Sequence, residues 1–174
     1  QALRYADRHA RQQTLNEQHE SRIVAEMREQ ARRAFPFMTP IADKMAGSSG
    51  SYKEVRKAAR QNYVAFLQAA FPGVKFSVKS DDRENRTVSW EDGPESKAVK
   101  VIIDALKSGG FNGMEDMEFS FSGAAAVMPS LFGGSHYSST KHHRSDAAWR
   151  AAVEQSMKEA IFTDSTVMRL TAIP

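Results

Sequence analysis

Between residues 52 and 70, apolar side chains recur at three- and four-residue steps: Tyr52, Val55, Ala59, Tyr63, Phe66 and Ala70. That spacing builds one face of a helix, and Phe71-Pro72-Gly73 closes it. The period then changes to two. Val74, Phe76 and Val78 alternate with Lys75, Ser77 and Lys79, and Thr87 to Trp90 resume the alternation after a polar bend from Ser80 to Arg86. The pattern predicts a β-hairpin with a long charged tip, its apolar face made by Phe76, Val78, Val88 and Trp90. Asp92-Gly93-Pro94 prepares a helix start, because a proline at the first helical position lacks only an N–H that would have no partner there. Ala98, Val101, Ile102, Ala105 and Leu106 are the expected buried face, and Gly109-Gly110 the stop.

The flanks are less regular. Residues 1–34 hold no Gly or Pro and are rich in Arg, Gln, Glu and Ala, which favour helix. Apolar residues at four-residue spacing begin only at Ile23 and continue through Met27, Ala31 and Phe35. We therefore expect a long helix whose carboxy-terminal third docks, and whose first half is a solvated arm open to a partner or to self-association. Pro36 and Pro40 end it, and Ala46 to Ser51 reads as a flexible joint. The expected organisation is a helical arm and joint over 1–50 and an α+β domain over 51–174. Met117, Phe119 and Phe121 suggest one face of a third strand. Residues 122–144, rich in Gly, Ser and Ala, read as a long loop. Ser145 or Asp146 then caps a last helix, on which Trp149, Val153, Met157 and Ile161 stack. Residues 165–174 offer a final edge strand. The fold class expected is α+β, a small antiparallel sheet packed against helices with a long amino-terminal helical arm.

Composition changes this picture little. The chain has 174 residues, with 24 Lys and Arg against 21 Asp and Glu, a net charge of +3. A surplus that small permits nucleic-acid contact without requiring it, so clustering decides. Absence of cysteine excludes disulfides, thiolate metal sites and cysteine nucleophiles. No apolar run reaches the roughly 20 residues of a membrane span, and we expect a cytoplasmic protein.

One cluster is clear. Lys53, Arg56, Lys57 and Arg60 fall at i, i+3, i+4 and i+7, which places four cations in one stripe beside the apolar face of their helix. Such a stripe can track phosphates by releasing counterions, or flank a helix that meets a protein, with Asp81, Asp82 and Glu84 of the hairpin tip as internal partners. His142 and His143, near His136, Lys141 and Arg144, suit solvated positions near a helix start, or contacts to an anionic partner, better than a metal. A zinc site needs three or four supported ligands, and the neighbouring cations oppose one. Phe132 and Tyr137 are the aromatics best placed for a partner surface, whereas Trp90 and Trp149 align with apolar neighbours and read as core. Glu115, Asp116 and Glu118 lie where carboxylates stay wet and ordinary. No phosphate-loop, dinucleotide or nucleophile-elbow motif is present. We expect no catalytic residue, no metal ligand and no cofactor.

Three pieces occur in a specific order: Phe71-Pro72-Gly73 with Phe76-Ser77-Val78, then Ser89-Trp90 with Asp92-Gly93-Pro94, then Phe111, Gly113, Met114 and Asp116. Over residues 52–121 this order resembles an associated domain of the large polyvalent proteins of phages and conjugative plasmids. The resemblance implies a mobile-element context and carries no activity. The expected function is that of a non-enzymatic phage or plasmid protein that counters host defence by binding a defence protein, such as a CRISPR–Cas or restriction component. The alternatives are a nucleic-acid-binding accessory module and a structural or ejected virion protein. The implied location is the host cytoplasm or the virion, with no membrane partner.

Overall fold

The computed structural model describes the backbone of residues 2–41, 52–81 and 85–171, and the side chains of 10–41, 53–81 and 85–159. Helix α1 (Ala2–Ala34) is followed by α2 (Tyr52–Ala70), the hairpin β1 (Ser77–Ser80) and β2 (Arg86–Glu91), and α3 (Ser96–Asp104). A second hairpin, β3 (Gly109–Asn112) and β4 (Met117–Ser120), leads through a 3-10 turn (Gly123–Ala126) into α4 (Val127–Phe132). Strand β5 (Ser138–His143) and helix α5 (Asp146–Thr171) complete an α+β fold.

The main sheet has the order β1-β2-β5, with β1 antiparallel and β5 parallel to β2. Residues 122–144 are thus structured, against the expectation of a loop. Strand β5 reads Ser-Ser-Thr-Lys-His-His, with no apolar alternation to betray it. Its ladder runs from Arg86↔Ser138 to Glu91↔His143, and backbone pairing of this kind leaves no trace in side-chain hydropathy. The final edge strand expected over 165–174 is replaced by α5 as far as Thr171, and 172–174 lie outside the described residues. Joint residues 46–51 and the boundary near residue 50 also fall outside them.

One core joins these elements. Helix α2 buries Ala58, Ala59, Tyr63 and Leu67 against Phe76, Val78, Val88 and Trp90 of the hairpin and Phe132 of α4. From α3 the core takes Val99 and Ile103, and Leu106 follows just after it. Val101, expected inside, is 67% exposed. Two overlapping stripes on that helix have helical spacing, and only the position of the sheet selects between them. The Tyr63 hydroxyl pairs with Ser135 Oγ at 2.9 Å and donates to the Leu106 carbonyl at 3.3 Å. Burial pushes its pKa up, so the phenol stays neutral.

The end of α1 belongs to this core. Ala31 and Met38 are buried, and the Phe35 ring meets Phe66 edge-on at 5.3 Å. Asn62 ties the following segment down: its side-chain oxygen accepts from the Thr39 N–H at 2.7 Å, and its amide donates to the Thr39 and Phe132 carbonyls. Residues 10–23 are exposed throughout. Deleting residues 1–20 is therefore expected to change unfolding stability by no more than about 0.5 kcal/mol. Deletion through Phe35 should lose about 2–5 kcal/mol, the range for emptied core positions. Denaturant titration of the two truncations checks this, and a large loss from the shorter one would make the whole helix integral to the fold.

Asp92 ties the end of β2 to the start of α5. Its backbone is left-handed, with φ 55°. Its carboxylate accepts from the Ser145 N–H at 2.8 Å and hydroxyl at 2.7 Å, while Ser145 Oγ caps α5 by accepting from the Ala148 N–H. The Ser145 hydroxyl and N–H hold the carboxyl below its ordinary pKa. A depressed pKa gives stability that is complete above the ordinary carboxylate value of about 4 and is lost as pH falls through the folded value. Asp92→Asn tolerates the same backbone. It should melt below the wild type at neutral pH, with the gap closing in strong acid.

Several apolar residues stay outside. Met117 and Phe119 are 62% and 45% exposed on β4, which pairs with β3 in a separate two-stranded sheet. Trp149, expected in the core, is 59% exposed on α5 together with Val153 and Met157. Four-residue spacing defined a stripe there, but no described element packs over it. Among the described residues, no helix is long and apolar enough to cross a membrane.

Candidate partner-binding cleft

Helix α2 presents Lys53, Arg56, Lys57 and Arg60 beside the end of β1, where with Ser80 they line an open cleft of about 370 Å3. The apolar face of α2 creates this arrangement. Packing Ala59, Tyr63 and Leu67 onto the core turns the cationic stripe, one step around the helix, toward the strand edge. Lys53, Lys57 and Arg60 are exposed, and Arg56 is half-buried. The Arg56 guanidinium donates to the Asp81 carbonyl at 2.6 Å, pinning the end of β1 to the helix. The Asp81 carboxylate accepts from the Asn85 N–H and side-chain amide at 2.8 and 2.7 Å. Asp82 and Glu84, expected as internal partners of the stripe, lie outside the described residues.

The other candidate residues are placed elsewhere. Phe132 has no exposure and sits in the core, so it presents no surface to a partner. Its short helix is apolar on most sides, a feature that the Gly/Ser-rich composition of the stretch concealed. Tyr137 is 40% exposed and donates its hydroxyl to Glu118 Oε1 at 3.1 Å. Loss of hydration and the bond to Glu118 raise its pKa. His142 and His143 lie on β5, across the sheet from β1. His143 is exposed, whereas His142 stacks on Trp90 at 5.0 Å and 13°, with its Nε2 buried and unpartnered. The cationic stripe and the pair on β5 therefore flank opposite edges of one sheet, and they do not form a single site. Among the described residues no three His, Asp or Glu side chains come together as a metal set.

A model of the family described as large polyvalent protein associated domain 29 matches residues 51–145, more than half of the chain. The chain belongs to this family. Within the associated domain lie α2, both hairpins, α3, α4 and β5, together with the whole cationic cleft. The match continues past Phe121, where the motif resemblance ended, and takes in β5. Helices α1 and α5 flank the associated domain on either side. Membership puts the chain among domains associated with the large polyvalent proteins of phages and plasmids. No curated protein and no solved structure matches it.

The cleft was half legible. The cationic spacing is visible in the sequence, but its closeness to a strand edge depends on how α2 lies against β1. Gln61, Val64 and Gln68 extend the cleft beyond Arg60 without announcing themselves, since an interrupted polar stripe on a helix carries no signal of its own.

Proposed function

We propose that this associated domain is a non-enzymatic binding module that counters host defence for a mobile element by engaging a defence protein, such as a CRISPR–Cas or restriction component, through an acidic surface. The observation that supports a binding role is the open cleft walled by four cations. The family context supports the setting. Cations in a concave site steer and orient an oppositely charged partner, raising its association rate and rejecting like-charged surfaces. In this reading the domain acts in the cytoplasm of the host, and by affinity alone.

A nucleic-acid role rests on the same four cations, and salt separates the two readings. If the partner is protein, its complex with a purified defence component should survive nuclease and weaken on replacing Lys53, Lys57 and Arg60 by Gln. Duplex DNA should then bind weakly at physiological salt and respond little to the substitutions. If phosphates occupy the cleft, the log–log slope of DNA affinity against salt should shrink by about 0.9 for each duplex phosphate that is no longer neutralised. All sequences would weaken together, because phosphate contacts position without specifying. Tight DNA binding abolished by these substitutions would overturn the protein reading.

A further inference from the structure

Arg60, which lines the basic cleft, also lines a second one of about 420 Å3, between Val64 and Gln68 of α2 and Phe76, Ser77 and Val78 at β1. Phe76 and Val78 project from one face of the strand and Ser77 from the other. A cleft that touches all three opens onto the edge of the strand. That edge is unpaired among the described residues, since β1 is the outer strand of the β1-β2-β5 sheet.

The hydrogen-bond phase shows what the edge offers. Asp81 donates its N–H to the Asn85 carbonyl at 3.2 Å, and the same register continues as Ser80↔Arg86, Lys79↔Thr87, Val78↔Val88 and Ser77↔Ser89. Bonded and non-bonded pairs alternate in an antiparallel ladder. With residue 81 bonded to 85, Lys79 and Ser77 turn their backbone groups to β2, and Val78 and Ser80 turn theirs outward. Arg86 agrees with this phase: it gives its N–H to the Tyr137 carbonyl at 3.0 Å, away from Ser80.

We propose that the cleft takes an extended acidic peptide segment of a partner protein, which adds as a further strand to the open edge of β1. Its main chain bonds the outward N–H and C=O groups of Val78 and Ser80. Its apolar side chains meet Val64 and Phe76, and its carboxylates reach Lys57 and Arg60. This mode rests on the protein-partner reading above and specifies how that partner is held. Strand addition draws affinity from main-chain bonds and specificity from the side chains beside the groove. The edge is short and carries Lys75 and Lys79 close by, devices that discourage indiscriminate edge pairing. The same lysines favour an acidic strand over a neutral or basic one. A DNA backbone supplies acceptors but no donors, so it leaves the outward carbonyls of Val78 and Ser80 unmatched.

The test uses the full chain, a labelled peptide alternating Glu and Val, and an oligothymidylate of matched charge. Ser80→Pro removes one outward N–H without touching the ladder to β2, and Ser80→Ala keeps that N–H while removing the hydroxyl that accepts from Arg86. Ser80→Pro is expected to weaken peptide binding about tenfold, through the lost bond and the ring in the path of the strand, while Ser80→Ala stays within about twofold. In the wild type, saturating peptide should slow hydrogen exchange at the Val78 and Ser80 amides, a readout that does not depend on either variant folding. Peptide binding with unprotected amides and indifference to Ser80→Pro would overturn strand addition and leave the acidic-partner reading standing. Oligothymidylate binding in place of the peptide would overturn both in favour of nucleic acid. Binding of neither would remove the cleft as a partner site altogether.

Discussion

Trp90→Ala is expected to lower the free energy of unfolding by about 3–5 kcal/mol, the usual range for truncating a large core aromatic. Trp90 is 3% exposed and joins three parts of the fold. Its ring tilts against Phe76 at 5.8 Å and stacks on His142 of β5 at 5.0 Å. Its Nε1 donates to the Pro94 carbonyl at 3.0 Å, which fixes the turn before α3. Truncation empties the space over Phe76 and removes the stacking partner of a His142 ring whose Nε2 has no hydrogen bond. Trp90→Phe keeps most of the packing and loses the indole bond, and should cost about 1–2 kcal/mol plus a small cavity term. Denaturant titration of both variants tests the assignment. An unchanged midpoint in Trp90→Ala would put the ring in solvent.

Phe132→Ala should be as damaging, again by about 3–5 kcal/mol. Phe132 has no solvent exposure, meets Phe35 edge-on at 6.3 Å, and lies where α1, α2 and α4 converge. Asn62 donates to its carbonyl at 2.8 Å, so loosening this turn also strains the polar tie to Thr39. Gly133, next in the chain at φ 91°, passes so close to α2 that a Cβ there would stand 2.4 Å from Ala59. The site has little room to collapse around a void. Tyr137→Ala provides the contrast: at 40% exposure with one surface hydrogen bond, it should cost about 0.5–1 kcal/mol. A Phe132→Ala protein with full stability and lost partner binding would reverse the burial assignment.

Much of the fold follows from local pattern. The β1–β2 hairpin, its apolar face and the ends of α2 at Phe71 and of α1 near Pro36 are written in residue spacing and turn chemistry. A two-residue period leaves only one face to bury, and a proline beyond the first turn of a helix ends or kinks it. The α+β class and the family motifs rest on those elements. The cationic stripe is equally local, since i, i+3, i+4 and i+7 share a helix face in any fold.

What pattern could not supply is contact between distant segments. Strand β5 joins the sheet through backbone bonds that its polar side chains do not announce. Val99 and Ile103 rather than Val101 turn inward because the sheet lies on that side. Phe132 is buried and Trp149 exposed for the same kind of reason, as an apolar residue goes inside only where another element covers it. The cleft depends on such a meeting: Lys53, Arg56, Lys57 and Arg60 become one wall of it only where α2 lies beside the open edge of β1. Sequence by itself determined the periods, the turns and the charges of this protein. Tertiary structure alone decided which faces meet, because burial belongs to pairs of surfaces that lie far apart along the chain.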